Sequence, residues 1–347
     1  MTERISVMIV DDSSMYRELL RAALSEDRRI EVIAQAVNGK LAIPRVKHYK
    51  PNFIILDQEM PEMTGLETLR QIRQLAPETR VIMFCSPSRE GADVALTALH
   101  EGAVDFVTKP NSDNLKPFAQ YVRDTIIEKI VHLAHSNPRI TPVAPAVLPR
   151  RSPVQSYKLC GIGISTGGPV ALRQLFSTLS PRIKGPILIV QHMPPIFTKQ
   201  FAESLDRIGT LRVKEAAHGD ALVAGTAYIA PGGKQTRVIQ TAGVLKLEVT
   251  DDPPLYNCRP SVNVLFSSMA ALPGVRESIA VIMTGMGNDG YEGMKALRQG
   301  GAMLMAQSQK SCLIYGMPSQ PTEEGLIDET GDVEHISRRI NALMGAA

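Results

Sequence analysis

Two α/β units in one chain, each built on a parallel sheet, are what this sequence predicts. Short apolar runs alternate with helical patterns from residue 5 to about 135, and the alternation resumes at residue 157. A pattern of this kind predicts a parallel sheet covered by helices on both faces. Between the two stretches, "SNPRITPVAPAVLPRRSPVQS" holds five prolines and no periodicity, the mark of a semi-extended linker. The length of 347 residues is that of two domains. The expected boundaries are 1–135 for the first domain, 136–156 for the linker and 157–347 for the second domain.

In the first unit, "ISVMIVDD", "IEVIAQAV", "NFIILD", "RVIMFCS" and "VDFVT" read as buried strands in that order. "MYRELLRAALSED", "GLETLRQIRQL" and "GADVALTALHEGA" carry apolar residues at helical spacing. "LKPFAQYVRDTIIEKIVHLAH" closes the unit as one long helix. In the second unit, "KLCGIGIS", "GPILIVQHM" and "ESIAVIMTG" read as buried strands, "PVALRQLFSTL" and "IFTKQFAESLDRI" as helices. The turn-rich, alternating "VAGTAYIAPGGKQTRVIQTAGVLKLEVTDDPP" predicts antiparallel hairpins inserted into the α/β domain.

Composition narrows the function classes. Apolar residues make up 44% and charged residues 21%, ordinary for a soluble globular protein. A formal charge of +3 argues for neither nucleic acid nor a membrane surface as partner. No apolar run reaches the roughly 18 residues of a spanning helix, so no direct membrane insertion is expected. "MTERISVMIVDD" lacks the pattern of a secretion signal. The four cysteines, Cys85, Cys160, Cys258 and Cys312, form no Cys-x-x-Cys pair, which fits a reducing cytoplasm.

Ligands of open α/β sheets sit at the carboxyl ends of the strands. In the first unit, strand one ends in Asp11-Asp12, strand three in Asp57, and strand five is followed by Lys109-Pro110. Carboxylates crowded together repel unless a cation lies among them, and hard oxygen ligands suit Mg²⁺. A carboxylate beside Mg²⁺ and a lysine can attack a phosphoryl group. The plainer reading is that each acid caps the next helix, as Asp12 is placed to do before "SSMYRELL". "VDD" at 10–12, "ILDQEMPEMTGLE" at 55–67 and "AVDFVTKP" at 103–110 resemble a response-regulator receiver domain. That resemblance implies a flavodoxin-like doubly wound sheet, with Asp57 as phosphoacceptor. Asp11, Asp12 and Asp57 would form the Mg²⁺ site, Lys109 would contact the phosphate, and a CheA-type histidine kinase would be the donor. The family places a Ser or Thr after the fourth strand; in "FCSPS" Ser86 is assigned to it, with Cys85 the alternative.

In the second unit "LCGIGISTGGPVAL" raises three readings. As a phosphate cradle it lacks the P-loop lysine, and Thr166 stands where a dinucleotide fingerprint has its third glycine. As a nucleophile turn, Gly163-Ile164-Ser165-Thr166-Gly167 fits Gly-x-Ser-x-Gly, its glycines allowing the tight turn and room for substrate. As pure structure, glycines permit close packing without chemistry. The second reading needs a base and an orienter. His192 ends the strand "ILIVQHM", and Asp289 lies in the turn of "VIMTGMGNDG" that follows another strand, so both fall at the strand ends that also carry Ser165. The alternatives are a packing histidine and a cap for the helix "GYEGMKALRQ". The chain order Ser, His, Asp differs from that of the α/β-hydrolase fold.

"GIGISTGGP", "VQHMPPIFTKQFAESL", "AYIAPGGK", "NCRPSVNVLF", "MTGMGNDGYEGM" and "YGMPS" are similar, in that order, to the catalytic domain of the CheB family of chemotaxis methylesterases. The resemblance implies a Rossmann-like catalytic domain with Ser165 as nucleophile, His192 as base and Asp289 as orienter. Thr166 and Met286 would line the site, with the backbone near Met286 as an oxyanion donor. It implies hydrolysis of glutamate methyl esters, and deamidation of glutamines, on cytoplasmic helices of methylated chemoreceptors. No cofactor is expected for the hydrolysis. Phosphorylation of Asp57 is expected to activate it by weakening the packing of the receiver over the edge that holds Ser165. The rivals are a transcription factor with a basic recognition helix, for which no basic cluster follows the linker, and a nucleotide-dependent enzyme.

Overall fold

The computed structural model describes residues 4–110, 117–135 and 156–345. All of the linker expected at 136–156 except Ser156 lies outside them. The chain falls into two units, Met1–Asn137 and Pro138–Ala347, described separately below.

The strands of the first unit are β1 (Ile5–Val10), β2 (Ile30–Ala36), β3 (Phe53–Asp57), β4 (Arg80–Cys85) and β5 (Asp105–Thr108). They pair in parallel in the order β2-β1-β3-β4-β5, the flavodoxin-like order. Register places the chemistry. Val10 pairs with Leu56, so Asp11 and Asp57 leave the sheet side by side. Cys85 pairs with Thr108, so Lys109 leaves beside Ser86.

The helices are α1 (Ser14–Ser25), α2 (Gly39–Tyr49), α3 (Gly65–Leu75) and α4 (Arg89–His100). Each starts on a side chain that accepts a first-turn N–H: Ser13, Asn38, Thr64 and Ser88. Thr64 and Glu67 form a full capping box. Periodicity does not announce α2, because Pro44 lies inside it, where a proline removes one ladder bond. The Asn38 cap and packing against α3 sustain it. The single long helix expected at the end of the unit is broken. It runs as α5 (Phe118–Val122), a π turn (Arg123–Ile127) and α6 (Glu128–His135). Thr125 Oγ1 donates to the Tyr121 carbonyl at 2.7 Å, the back-bonding that loosens a helical ladder.

The second unit has seven parallel strands: β6 (Leu159–Ile164), β7 (Ile187–Gln191), β8 (Arg212–Glu215), β9 (Thr226–Ile229), β12 (Ser278–Ile282), β13 (Met303–Gln307) and β14 (Glu329–Gly331). Their order is β14-β13-β12-β6-β7-β9-β8. The chain starts at β6, builds outward through β7, and returns to the other side of β6 at β12. The crevice between β6 and β12 is therefore the topological switch point, where open α/β sheets bind ligands. The helices are α7 (Gly168–Phe176), α8 (Phe197–Asp206), α9 (Val262–Ala270), α10 (Tyr291–Gly300), α11 (Ser319–Glu323) and α12 (Val333–Met344). Apolar residues of α9 (Val262, Phe266, Met269) join Leu159, Ala280 and Ile282 of the sheet in one buried cluster.

Two expectations change here. Only β10 (Gln235–Thr241) and β11 (Val244–Thr250) form the antiparallel hairpin, turning at Ala242 and Gly243 with φ of 49° and 80°. The "TAYI" segment joins the parallel sheet as β9 instead, because its four residues are buried on both faces. Gly161 and Gly163 do not serve the turn. They lie inside β6, where a Cβ would come within 2.5 Å of Met269 Sδ and 2.3 Å of Val262 Cγ1, so they let α9 approach the strand. The turn itself falls on Gly167, with φ of +80°.

Candidate active site and phosphoacceptor pocket

In the first unit, oxygens of Asp11, Asp12 and Asp57 lie within 4.8 Å of one another. Asp11 and Asp57 are buried, and Asp12 is exposed. Lys109 Nζ stands 2.9 Å from Asp57 Oδ1 and 3.3 Å from Asp11 Oδ2. Its ammonium also lies 4.8 Å from the centre of the Tyr16 ring, a cation–π contact. Burial, reinforced by the Asp11 charge, pushes the Asp57 carboxyl up to about 6 against the pull of Lys109. Asp11 is raised as well, by burial first. Its Oδ1 accepts Ser13 N–H at 2.8 Å, while its buried Oδ2 accepts no well-aligned hydrogen bond. Two raised carboxyls, both paired with the one Lys109 ammonium, and a third open to solvent fit a hard divalent cation. Asp12, the expected cap, does not cap α1; Ser13 does.

Ser86 is half-buried. Its hydroxyl accepts from Gln58 Nε2 at 3.4 Å and lies 3.3 Å from Ser88 Oγ, without a bond to Asp57 among the described residues. Cys85, the alternative, is fully buried, and burial pushes its thiol far up.

In the second unit, Ser165 and His192 are successive to a paired couple, since Ile164 pairs with Gln191. Ser165 N–H donates to the Thr284 carbonyl at 2.9 Å. Its carbonyl accepts from Gly168 N–H and from Gln191 Nε2, at 2.8 and 3.0 Å. The half-buried Ser165 is thus held at backbone level from both neighbouring strands. Gly285 follows the end of β12, and a Cβ there would stand 2.7 Å from Ser165 Cβ, so a glycine is needed for the two loops to meet.

His192 Nε2 lies 2.8 Å from Asp289 Oδ2. Asp289, 4% exposed, accepts three further hydrogen bonds. Oδ1 takes Ser261 Oγ (2.8 Å) and Asn263 N–H (3.0 Å), and Oδ2 takes Val262 N–H (2.7 Å). Burial alone would raise this carboxyl; His192 and the backbone donors of α9 outweigh it and hold it below the usual range. Asp289 does cap a helix, but α9 rather than the α10 that follows it. Burial pulls the His192 imidazole down, yet Asp289 and Cys258 push it up to about 9. Among the described residues no hydrogen bond joins His192 to Ser165; such bonds are often long before substrate binds.

Thr166 is buried and its carbonyl accepts Thr284 Oγ1 at 3.0 Å. Met286 is half-buried in the loop after β12. Among the described residues, the N–H groups of Thr166 and Met286 donate no hydrogen bond.

Sequence reasoning passed over Cys258. A ring nitrogen of His192, Cys258 Sγ and an Asp289 oxygen lie within 4.8 Å of one another. Ser261, Asn263 and Thr284 were also missed. Their roles rest on tertiary hydrogen bonds, for which a single chain carries no local signal.

A receiver followed by a Rossmann-like hydrolase fold is the layout of a response regulator whose output is an enzyme. Comparison with known proteins makes the class specific. The family model for the CheB methylesterase matches residues 160–340, and that for the response regulator receiver domain matches residues 7–117. A protein-glutamate methylesterase/protein-glutamine glutaminase from Halalkalibacterium halodurans is 41% identical over 345 residues, 98% of each chain. Its counterpart from Geobacillus kaustophilus is 40% identical, covering 98% of this chain and 99% of that one. The solved CheB methylesterase catalytic domain of Thermotoga maritima superposes with a TM-score of 0.53 at 35% identity, covering 54% of this chain and 99% of that one. The chain belongs to the CheB methylesterase family and is an enzyme of the methylesterase/glutaminase class. No helix among the described residues is long and apolar enough to cross a membrane.

Proposed function

We propose that this enzyme removes methyl groups from glutamate esters on the cytoplasmic helices of chemoreceptors, deamidates glutamines at the same site, and acts in the cytoplasm under control of Asp57 phosphorylation. The observation that carries the hydrolytic reading is the 2.8 Å His192–Asp289 pair at the strand end next to that of Ser165.

Ser165 Oγ attacks the ester carbonyl carbon while His192 takes the serine proton. Asp289 engages Nε2, which leaves Nδ1 as the nitrogen for Ser165. The negative charge on the carbonyl oxygen is met by the free N–H groups of Thr166 and Met286. As the tetrahedral species collapses, the C–O bond to methoxide breaks and His192 returns the proton, releasing methanol. Water, deprotonated by His192, then cleaves the acyl-serine, freeing glutamate and Ser165. With glutamine the leaving group is ammonia and the other steps are the same.

In the receiver, Asp57 accepts a phosphoryl group from a CheA-type histidine kinase. Lys109, already 2.9 Å from Asp57, would pair with the new charge. Asp11, Asp12 and Asp57 would hold Mg²⁺, which supplies charge neutralisation on the phosphoryl oxygens. Phosphorylation raises the rate of hydrolysis.

The test is methanol release from methylated receptor membranes, with and without a small phosphodonor. Wild type should release methanol, faster with the donor. Ser165→Ala should lose on the order of 10⁶ in rate, and Asp57→Ala should keep basal activity without stimulation. Turnover by Ser165→Ala would sink the nucleophile; stimulation of Asp57→Ala would sink the switch.

A further inference from the structure

The hydrolytic reading leaves Cys258 without a task, although it is the thiol nearest the chemistry. Leu255 and Cys258 close a tight turn, N–H to carbonyl in both directions at 3.1 and 2.9 Å. Tyr256 and Asn257 between them adopt φ of 49° and 64°, a left-handed pair that fixes the turn. The Cys258 carbonyl is tied to Gln235 Nε2 at 3.1 Å, and Ser261 N–H to Gln235 Oε1 at 2.9 Å. The turn is therefore pinned to β10, and it delivers a half-buried sulfur to the side of His192.

The result is a set of three different ligand atoms, sulfur, imidazole nitrogen and carboxylate oxygen, all within 4.8 Å of one another. Tetrahedral Zn²⁺ with bonds of about 2.0–2.3 Å holds its ligand atoms roughly 3.3–3.6 Å apart, so small side-chain adjustments suffice. The carboxylate is already oriented: Ser261 Oγ and the N–H groups of Val262 and Asn263 hold it. Outer hydrogen bonds of this kind position metal ligands. The other metal-competent cluster among the described residues, Asp11, Asp12 and Asp57, is all oxygen and suits a hard ion. The two clusters thus sort cations by softness.

We propose that His192, Cys258 and Asp289 form a binding site for a thiophilic divalent cation of the Zn²⁺ type, and that its occupation inhibits the hydrolase. Three protein ligands leave a fourth position for water. A cation held there occupies the nitrogen or the carboxylate that the hydrolytic reading assigns to proton transfer. The inhibition rests on that reading; the binding does not.

The experiment uses the full-length protein, stripped with a chelator and kept in excess Mg²⁺ so that the receiver acids are engaged. Zn²⁺ binding is read by competition with a chromophoric chelator. Alkylation of each cysteine by iodoacetamide is read by peptide mass. Wild type should bind one Zn²⁺ at this site, and Cys258→Ala should bind it at least about tenfold more weakly, having lost one of three ligands. Zn²⁺ should slow alkylation of Cys258 and leave Cys312 as it was. Ester hydrolysis by wild type should fall with Zn²⁺ and return with chelator. Equal Zn²⁺ affinity in wild type and Cys258→Ala, or unprotected Cys258 in wild type, overturns the site. The alkylation readout needs no variant, so a misfolded Cys258→Ala does not remove the test. Activity that is lost on chelation and restored by Zn²⁺ overturns the inhibitory role. A chain that binds Zn²⁺ here yet hydrolyses nothing refutes the hydrolytic reading and leaves the site standing.

Discussion

Replacing Asp289 by alanine takes one carboxylate away from four donors. His192 Nε2, Ser261 Oγ, Val262 N–H and Asn263 N–H all end on it, between 2.7 and 3.0 Å. Ser261 can rotate its hydroxyl, but the two N–H groups open α9, and Ser261 at the N-cap offers them no side-chain acceptor. Both residues are buried. An orphaned buried donor costs about 1–3 kcal/mol, so the pair costs roughly 2–6 kcal/mol. At about 2–4 °C per kcal/mol for a unit of this size, even 3 kcal/mol lowers the melting temperature by about 6–12 °C. On the proposed mechanism the same substitution also leaves His192 unoriented, and losing the orienting acid of a triad costs about 10⁴ in turnover. The assay is paired: calorimetry of the full chain, following the transition of the second unit, and methanol release well below that transition. A melting temperature within about 2 °C of wild type would refute the capping argument. A large thermal loss with near-normal methanol release would make Asp289 a helix cap and nothing more.

Other outcomes are expected in both units. Because Asp289 and Cys258 raise His192 to about 9 and the base must be neutral, hydrolysis should climb with pH through about 9, and Cys258→Ala should move the rise to lower pH; a flat profile from about pH 7 to 10 contradicts this. The same raised value means that the stabilisation from the imidazolium–carboxylate pair is complete below about pH 6.5 and fades as pH rises through about 9. In the receiver, an Asp57 carboxyl raised to about 6 makes its charged form costly, so stability should fall as pH rises through about 6. At neutral pH, Mg²⁺ and Asp57→Asn should each raise the melting temperature of that unit, and a wild type indifferent to Mg²⁺ would tell against the acidic site. Gly163→Ala would set a methyl 2.3 Å from Val262 Cγ1 and 3.2 Å from Ile282 Cδ1, at a cost of about 1–3 kcal/mol. Since Val262 N–H binds Asp289, turnover should drop too, and an unshifted melting curve would dismiss the packing argument.

Strand ends were the most legible part of the chain. Buried parallel strands read as continuous apolar runs, and Asp57, Lys109, Ser165 and His192 each stand at or just after the end of one. Helix α2 escaped because Pro44 spoils its pattern. Strand β9 was read into a hairpin because turn residues crowd it on both sides. Gly163 was read as a turn-former together with Gly167, when it and Gly161 answer to a helix about a hundred residues further on. Cys258 and the second duty of Asp289 carry no local mark at all. Each depends on which loop folds beside which, and pairings of that kind are settled by the sheet order and the packing of α9.

The place of β12 has a consequence for how the protein is made. β6 lies between β7 and β12 and pairs with both, Gly161 with Leu188 and with Ala280. On a ribosome the first of these partners follows within a few tens of residues, whereas the second arrives only roughly ninety residues after that. Until then β6, whose side chains are all apolar, presents an open edge of unpaired N–H and C=O groups to whatever is nearby. Delayed pairing of this kind slows folding and exposes the chain to aggregation. Asp289 lies beyond β12, so the nascent chain carries a serine and a histidine with no carboxylate to join them. On the proposed mechanism, hydrolytic competence therefore arrives late in synthesis, with the strand that closes the sheet.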